Sequence, residues 1–508
     1  MAVKTFAAID VGSFELGMKI FEISQKGIKE LDEVRHAIDL GSDTYATGKI
    51  SFAKVGELCN LLKQYKTIMS SYQVSDYVAY GTSAIRETTN TAVLLDQIWQ
   101  RTGIRIQILS NSEQRFLDYK SIAFKLENFE EIVAESTAIL DIGGGSIQIS
   151  LFEEGKLNTT RNLRLGILRV QDNLIRLNAG VDQIPNLVNE MVADQLDVFK
   201  KMHLPKKKIK HMIIVDDYLT GLIQKEYGSS DAPRCDKFLR SLASTGPLEL
   251  SRKYQLAEDA AYLLRITTLI VLYLMDMMGT KSLLAPGVTL CDGIVYEYAE
   301  KKKKLLPTHD FEQDIISSAW NLSKRYMSSM KRDQTLETIA LKIYDAMQSL
   351  HGLTKRERLL LQIAGILHDC GKFTSLVNVG ECSYNIVMNT EIIGLSHRER
   401  ELVANIVKYI YLPFAPYSDF GTETSIDADT YLILSKLTAI LRLSKALDRS
   451  HKQKFLDLDV KVKSGEYKMQ ILVRTTQDIT LEKGLIGNSA DLFEEVYSIR
   501  PVIHKVKE

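Results

Sequence analysis

The chain has 508 residues, 45% hydrophobic and 25% charged, and its 64 basic and 64 acidic side chains cancel. That length divides into two to four domains, and the balanced charge argues against a general nucleic-acid binder. The longest apolar run, Ile266 to Met275, ends at Arg265 and Asp276, far short of the roughly 20 residues a bilayer span needs, so it reads as a buried helix and no membrane partner is expected. Five scattered cysteines (Cys59, Cys235, Cys291, Cys370, Cys382) without a C-x-x-C spacing predict reduced thiols, neither a disulfide frame nor a zinc site. Met1 to Ile9 lacks the basic-then-apolar build of a signal peptide, so a cytoplasmic location is expected.

The first elements in chain order are two strands, Thr5 to Ile9 and Gly17 to Ile23, around the turn Ile9-Asp10-Val11-Gly12-Ser13. A third extended segment (Lys29 to Asp39) follows, then a helix from about Ser51 to Ser70, a strand at Tyr77 to Tyr80 and a helix from about Thr91 to Thr102. A strand at Ile104 to Leu109 leads into a helix starting near Ser112, where Phe116, Tyr119, Ile122, Ala123 and Leu126 recur at helical spacing. The hairpin pattern then restarts, with strands at Thr137 to Leu140 and Ile147 to Phe152 around Leu140-Asp141-Ile142-Gly143-Gly144-Gly145-Ser146.

Each of these turns points successive backbone N–H groups into one cavity, an anion-binding nest. Glycine lets the backbone approach an oxyanion with no side chain between. The Asp at each strand end is placed to hold a divalent cation through water. Two such turns predict a phosphate cleft between two related lobes.

A boundary is expected where the charged Lys301 to Lys304 run meets Pro307. From Asp310 the pattern changes to long amphipathic helices with a late pair of strands, Leu456 to Val462 and Glu466 to Val473. The lysine groups Lys206-Lys207-Lys208 with Lys210, and Lys301 to Lys304, are either solvated loop and helix ends or guides for a polyanion; composition leaves both open.

The two turns, the segments Tyr80-Gly81-Thr82-Ser83-Ala84-Ile85-Arg86-Glu87 and Ile108-Leu109-Ser110-Asn111-Ser112-Glu113-Gln114, and Cys291-Asp292-Gly293 together resemble the exopolyphosphatase / guanosine pentaphosphate phosphatase (Ppx/GppA) family. The resemblance covers residues 1 to about 306 and extends into a C-terminal region similar to the family's HD-type helical domain. It implies an α/β fold: an actin-like (ribonuclease H-like) duplicated two-lobe domain, with a C-terminal all-α HD-like domain carrying a small strand pair. Lobe I is expected over 1–126, lobe II over 127–306 and the helical domain over 307–508. The implied activity is removal of terminal phosphate from inorganic polyphosphate or guanosine pentaphosphate, with Mg²⁺ as the divalent ion.

Carried onto this sequence, the resemblance makes Gly12, Ser13, Gly143, Gly144, Gly145 and Ser146 the phosphate cradle. Arg86 becomes a bidentate phosphate ligand, and Asp10 and Asp141 the Mg²⁺ anchors. Two positions where the family carries Glu read Gln114 and Gln148, and the family's Gly-Ser-Asn-Ser reads Gly12-Ser13-Phe14-Glu15. An amide orients a water but takes no proton, and losing a general base costs about 10²–10⁴-fold in rate. Glu113 is the neighbouring substitute, although adjacent helix positions point about 100° apart, and Glu15 is a further carboxylate.

In the helical domain His368-Asp369 is the HD doublet. Arg332 and Gln334, Cys382, Ile410 and Lys445 stand where further ligands are expected, so no metal is predicted there and the domain serves packing, homodimerisation or extension of a substrate channel. The readings that follow are a phosphatase, or a sensor that binds phosphate or polyphosphate and has lost turnover. A kinase of the same superfold finds little support in Asp292-Gly293.

Overall fold

The computed structural model describes residues 4–25, 27–204, 208–227, 231–233, 235–302, 305, 309–420, 426–462 and 468–506. Lys206, Lys207, Lys303, Lys304, Pro307 and the start of the second late strand at Glu466 lie outside the described residues. Two compact units divide the chain, Met1–Asp314 and Ile315–Glu508.

In the first unit, β1 (Lys4–Val11), β2 (Glu15–Ser24) and β3 (Gly27–Ala37) form an antiparallel meander. After α1 (Leu40–Thr47) and α2 (Phe52–Ser71), β4 (Asp76–Gly81) joins parallel to β1. Then α3 (Ser83–Glu87) and α4 (Thr91–Thr102) lead to β5 (Ile106–Ile108), parallel to β4. The sheet order is β3-β2-β1-β4-β5.

Two helices, α5 (Asn111–Lys125) and α6 (Phe129–Ala134), precede the second sheet. It repeats the plan with β6 (Thr137–Ile142), β7 (Ile147–Glu153), β8 (Lys156–Leu163), α7 (Ile167–Arg176), α8 (Ile184–His203) and β9 (His211–Val215). The remaining elements are α9 (Leu219–Tyr227), β10 (Asp231–Pro233), α10 (Asp236–Ser244), α11 (Pro247–Tyr254), α12 (Glu258–Met278), β11 (Ser282–Leu284) and α13 (Leu290–Lys301). The order β8-β7-β6-β9-β11, with β10 added at one edge, matches the first sheet strand for strand. Even the register shifts recur, at Ile20/Phe21 where β2 pairs with β3 and at Leu151/Phe152 where β7 pairs with β8.

Period-two alternation splits β1 between two cores. Ala7, Ile9 and Val11 pack with Leu58 and Leu62 of α2 and Ile98 of α4. Phe6 and Ala8 pack instead with Leu290, Ile294 and Val295 of α13 and Leu117 of α5. The chain thus returns to the first sheet after completing the second. Gly293 makes that return possible, because a Cβ there would fall within 3.0 Å of the Leu117 backbone. The Ile266–Met275 run lies in α12, which is mostly buried in the second lobe's core.

The helix α1 was not expected from the sequence. Residues Leu40 to Thr47 (LGSDTYAT) are poor helix formers with no apolar stripe, yet they form α1. Asp39 and Gly48, both with positive φ (48° and 76°), cap the two ends, so capping and tertiary packing outweigh propensity.

The second unit is helical, with long helices at Met330–Ala346, Lys355–Leu367, His397–Tyr409 and Ala428–Leu447. Its late strands form a three-stranded sheet: β12 (Asp457–Val462), β13 (Lys468–Arg474) and β14 (Arg500–Val506), in that order. The sequence predicted only a pair. The third strand is a charged edge beginning Arg500-Pro501, where a proline needs no ladder donor, so it carries little alternating apolar signal.

Candidate active site

The two glycine turns are built alike. Gly12 N–H donates to the Glu15 carbonyl and Gly143 N–H to the Ser146 carbonyl, each at 3.0 Å. Each turn is backed by the start of the helix that follows its meander. Gly41 N–H donates to the Ser13 carbonyl (2.6 Å), and Leu168 N–H to the Gly144 carbonyl (3.0 Å). The turns face one another, since a Cβ on Gly144 would lie 3.2 Å from the Ser13 Cβ. Gly12, Ser13, Gly143, Gly144, Gly145 and Ser146 are therefore brought together from two lobes.

Tyr45 of α1 stands at the meeting point. Its hydroxyl, Ser13 Oγ and Ser83 Oγ form a closed ring of hydrogen bonds of 2.8–2.9 Å. The same hydroxyl abuts Gly145, where a Cβ would clash with it. Arg169 covers the Tyr45 ring at 4.4 Å, donates to the Gly145 carbonyl at 2.8 Å and pairs with Glu87.

A cavity of about 60 Å³ opens beside the turns, lined by Asp10, Gly12, Ser13, Glu15, Arg35 and Asp217 among others. Asp10 Oδ1 is buried with no hydrogen-bond partner. Burial, and then Asp217 and Glu15, push the Asp10 carboxyl up to about 8. Glu15 lies 3.4 Å from Arg35, and burial raises its carboxyl although Arg35 opposes the shift. Phe14, where a smaller residue was expected, sits with its ring 6.1 Å from that of Tyr218 across the cleft.

The other expected residues are placed as follows. Glu113 closes the cap of α5, its carboxylate accepting from Ser110 N–H (3.0 Å) and Oγ (2.6 Å). Gln114 is half-buried in the first turn of that helix. Arg86 donates to the Leu109 carbonyl at 2.7 Å and to Asn111, bracing the same helix start. Gln148 is buried, and stands opposite Asp141 in the β6–β7 ladder. Asp292 caps α13 at Thr289 (2.7 Å) and receives Lys19 at 3.1 Å. Of the lysine groups, Lys210 pairs with Glu135 at 2.5 Å and Lys301 with Glu297.

Besides Tyr45, sequence reasoning missed three charged groups. Arg115 is buried, ion-pairs with Asp141 and donates to Ser146 Oγ at 3.0 Å. Asp118, three residues further on the same face of α5, hydrogen-bonds Asp141; burial first and then Asp141 raise its carboxyl far above the usual range. Asp217 follows β9, the strand equivalent to β4. An Asp-Asp at a strand end was the available signal for it, whereas the phase of α5, which a sequence leaves open, hid the other two.

Of the two aspartates, Asp10 has the chemistry that better suits a divalent ion. Asp10 offers a buried carboxylate oxygen without a hydrogen-bond partner near Asp217 and Glu15, and Arg35, which pairs with Glu15, makes no ion pair with Asp10 among the described residues. Asp141 does not fit, because Arg115 already neutralises it. Among the described residues no three His, Cys, Asp or Glu side chains converge as a metal cluster.

In the second unit, His368 bonds the Gly365 carbonyl (2.8 Å), and its Nε2 lies 3.2 Å from Asp369. Lys372 (2.5 Å) and Tyr411 hold Asp369, and Lys445 Nζ sits 3.1 Å from the centre of the Tyr411 ring. Burial pushes Lys445 down to about 7 and His368 to about 4. Amines around the doublet do not suit a divalent ion.

Two family models match, the Ppx/GppA phosphatase family over residues 19–213 and the Ppx/GppA phosphatase domain III over 316–492. The chain is 20% identical to a guanosine-5'-triphosphate,3'-diphosphate pyrophosphatase of Vibrio parahaemolyticus over 86% of each chain. It is 22% identical to a bifunctional 3-dehydroquinate synthase/phosphatase of Fusobacterium nucleatum, over 34% of this chain and 26% of that one. It is 24% identical to exopolyphosphatase 1 of Mycobacterium leprae, over 32% of this chain and 47% of that one. The chain thus spans about a quarter and about half of the last two proteins.

Among solved structures, the Aquifex aeolicus Ppx/GppA family member aligns with TM-score 0.50 at 18% identity, covering 61% of this chain and all of that one. An exopolyphosphatase from Cytophaga hutchinsonii aligns with TM-score 0.52 at 16% identity, covering 59% and 98%. With both models matched in order and together covering well over half of its length, the chain belongs to the Ppx/GppA phosphatase family.

Proposed function

We propose that this protein is a phosphoanhydride hydrolase that removes terminal phosphate from inorganic polyphosphate or guanosine pentaphosphate. The observation that carries the reading is the pair of like-built glycine turns meeting at Ser13 and Gly144 from two lobes of a duplicated fold. The names of the Vibrio and Mycobacterium relatives support the same substrate class, and a cytoplasmic location accords with such substrates.

Phosphoryl transfer asks a protein mainly for positioning and charge neutralisation. The Gly12–Ser13 and Gly143–Ser146 amides seat the terminal phosphate. Arg115 of α5, behind Ser146, brings positive charge to the lobe II turn. Mg²⁺ is assigned to Asp10, where it supplies charge neutralisation on phosphate oxygens. The base that takes a proton from the attacking water is assigned to the carboxylates lining the cavity, with Asp217 foremost, because Gln114 and Gln148 are amides and Glu113 is held in its cap.

Phosphate release from polyphosphate and from guanosine pentaphosphate, each with Mg²⁺, tests the proposal. Turnover of either above a heat-inactivated control supports it, and tight binding of both without release sinks it.

Substrate competes with Tyr45 for Ser13 and Ser83. Tyr45→Phe removes the competing hydroxyl and keeps the ring under Arg169. At about 0.5–1.5 kcal/mol per hydrogen bond, KM for polyphosphate is expected to fall about 3–10-fold with kcat within twofold. A raised KM would make the hydroxyl a substrate ligand instead.

A further inference from the structure

Asp10 and Asp141 occupy the same place in the duplicated plan, each at the end of the first strand of its meander just before the glycine turn. Each keeps a buried carboxylate oxygen without a hydrogen-bond partner, but the charges around them differ. Asp10 faces Gly17 across its ladder, where Asp217 and Glu15 raise its carboxyl and Arg35 opposes them. Asp141 faces the neutral Gln148, is hydrogen-bonded to Asp118, and is ion-paired to Arg115, a side chain only 3% exposed. Arg115 enters from α5, outside either sheet, and its second terminal nitrogen reaches Ser146 Oγ at 3.0 Å. The closeness of Arg115 to the turn is plain at Gly143, where a Cβ would lie 3.9 Å from that nitrogen.

A guanidinium cannot lose its proton in a protein, so Arg115 is a permanent cation at this turn. Arg115 sets one permanent positive charge against Asp141, which also hydrogen-bonds Asp118, and the buried amide opposite adds no charge. A divalent ion entering between Asp141 and the turn would meet a like charge that cannot leave by titration.

We propose that Arg115 is the resident cation of the second glycine turn: it neutralises Asp141, denies that carboxylate to a divalent ion, and sets its Ser146-side nitrogen beside an incoming phosphate oxygen. The last clause rests on the phosphatase reading; the denial of metal at Asp141 stands without it. The cleft is therefore electrostatically lopsided, with an exchangeable ion on the Asp10 side and a built-in one on the Asp141 side.

Mn²⁺ binding followed by electron paramagnetic resonance on the full chain, without substrate, tests the proposal independently of turnover. Asp141→Asn is expected to change Mn²⁺ affinity less than twofold, whereas Asp10→Asn weakens it at least tenfold. Arg115→Met is expected to tighten Mn²⁺ binding at least tenfold or to add a second site, and a further Asp141→Asn change abolishes that gain. Arg115→Lys, which keeps the charge if Arg115→Met fails to fold, is expected to bind Mn²⁺ as the wild type does. A tenfold loss in Asp141→Asn alone overturns the proposal, as does a folded Arg115→Met chain with unchanged Mn²⁺ binding.

Inorganic phosphate in EDTA supplies the second arm. Releasing Arg115 from Asp141 by Asp141→Asn is expected to tighten phosphate about fivefold, and a weakening would overturn the assignment of Arg115 to phosphate. A chain with the expected Mn²⁺ pattern and no turnover of any phosphoanhydride would sink the phosphatase reading and leave the resident cation standing.

Discussion

Asp217→Asn is expected to lower kcat for phosphate release by about 10²–10⁴-fold, the usual range for removing a general base, with KM changed little. Asp217 stands at the end of β9 and lines the cavity beside Asp10 and Glu15. Among the described residues no ion pair holds it, whereas Glu15 lies 3.4 Å from Arg35. The low-dielectric cleft walls, and then Glu15, hold its carboxyl above the ordinary aspartate range, although the side chain meets solvent at the mouth. A base works only when ionised, so a raised carboxyl moves the acidic limb of the rate profile to higher pH. The wild-type rate is expected to climb with pH through that limb, and the Asn chain to lose the limb along with the rate. A kcat within threefold of wild type would remove Asp217 from this role.

Gly166→Ala is expected to destabilise the first unit by about 2–4 kcal/mol, from overpacking and lost buried hydrogen bonds together, and to abolish phosphate binding at the second turn. Gly166 is the N-cap of α7 with φ −74°, so alanine suits its backbone; space is the obstacle. A Cβ there would fall well inside 3.0 Å of the Gly144 and Gly145 backbone. Relief requires the turn to withdraw, which breaks the bonds from Ile167 and Leu168 N–H to the Gly143 and Gly144 carbonyls (3.1 and 3.0 Å). Gly56→Ala is the control. It sits in α2 with nothing within 4 Å of the added carbon, and helix propensity favours alanine by roughly 0.8–1 kcal/mol. Thermal melts with phosphate titrations on both chains check the pair of outcomes.

Strand, Asp and glycine turn are consecutive in the chain, so both glycine turns and their duplication were legible in the sequence. Gln148 was legible as a neutral residue beside Asp141 for the same local reason. Arg115 and Asp118 were not, because the face of α5 that meets the cleft depends on how that helix is phased by its cap at Ser110 and Glu113. Glu113 itself illustrates the difficulty: a carboxylate at a helix start serves the cap as readily as the chemistry. Tyr45 was hidden because α1 arises from capping at Asp39 and Gly48 in a segment with no helical pattern. Asp217 reaches Asp10 only through the pairing of the two lobes, across some 200 positions of sequence.

The covering of the first sheet by α13 imposes an order on biosynthesis. Phe6, Ala8, Phe21 and Ile23 gain their partners Leu290, Ile294 and Val295 only about 180 residues after β5 has been made. At ~5–20 residues per second of translation, that apolar face waits about 10–35 s beside the ribosome. A fragment ending after β5 would carry the face permanently bare and is expected to aggregate, so the amino-terminal lobe is a segment of sequence without being an autonomous folding unit.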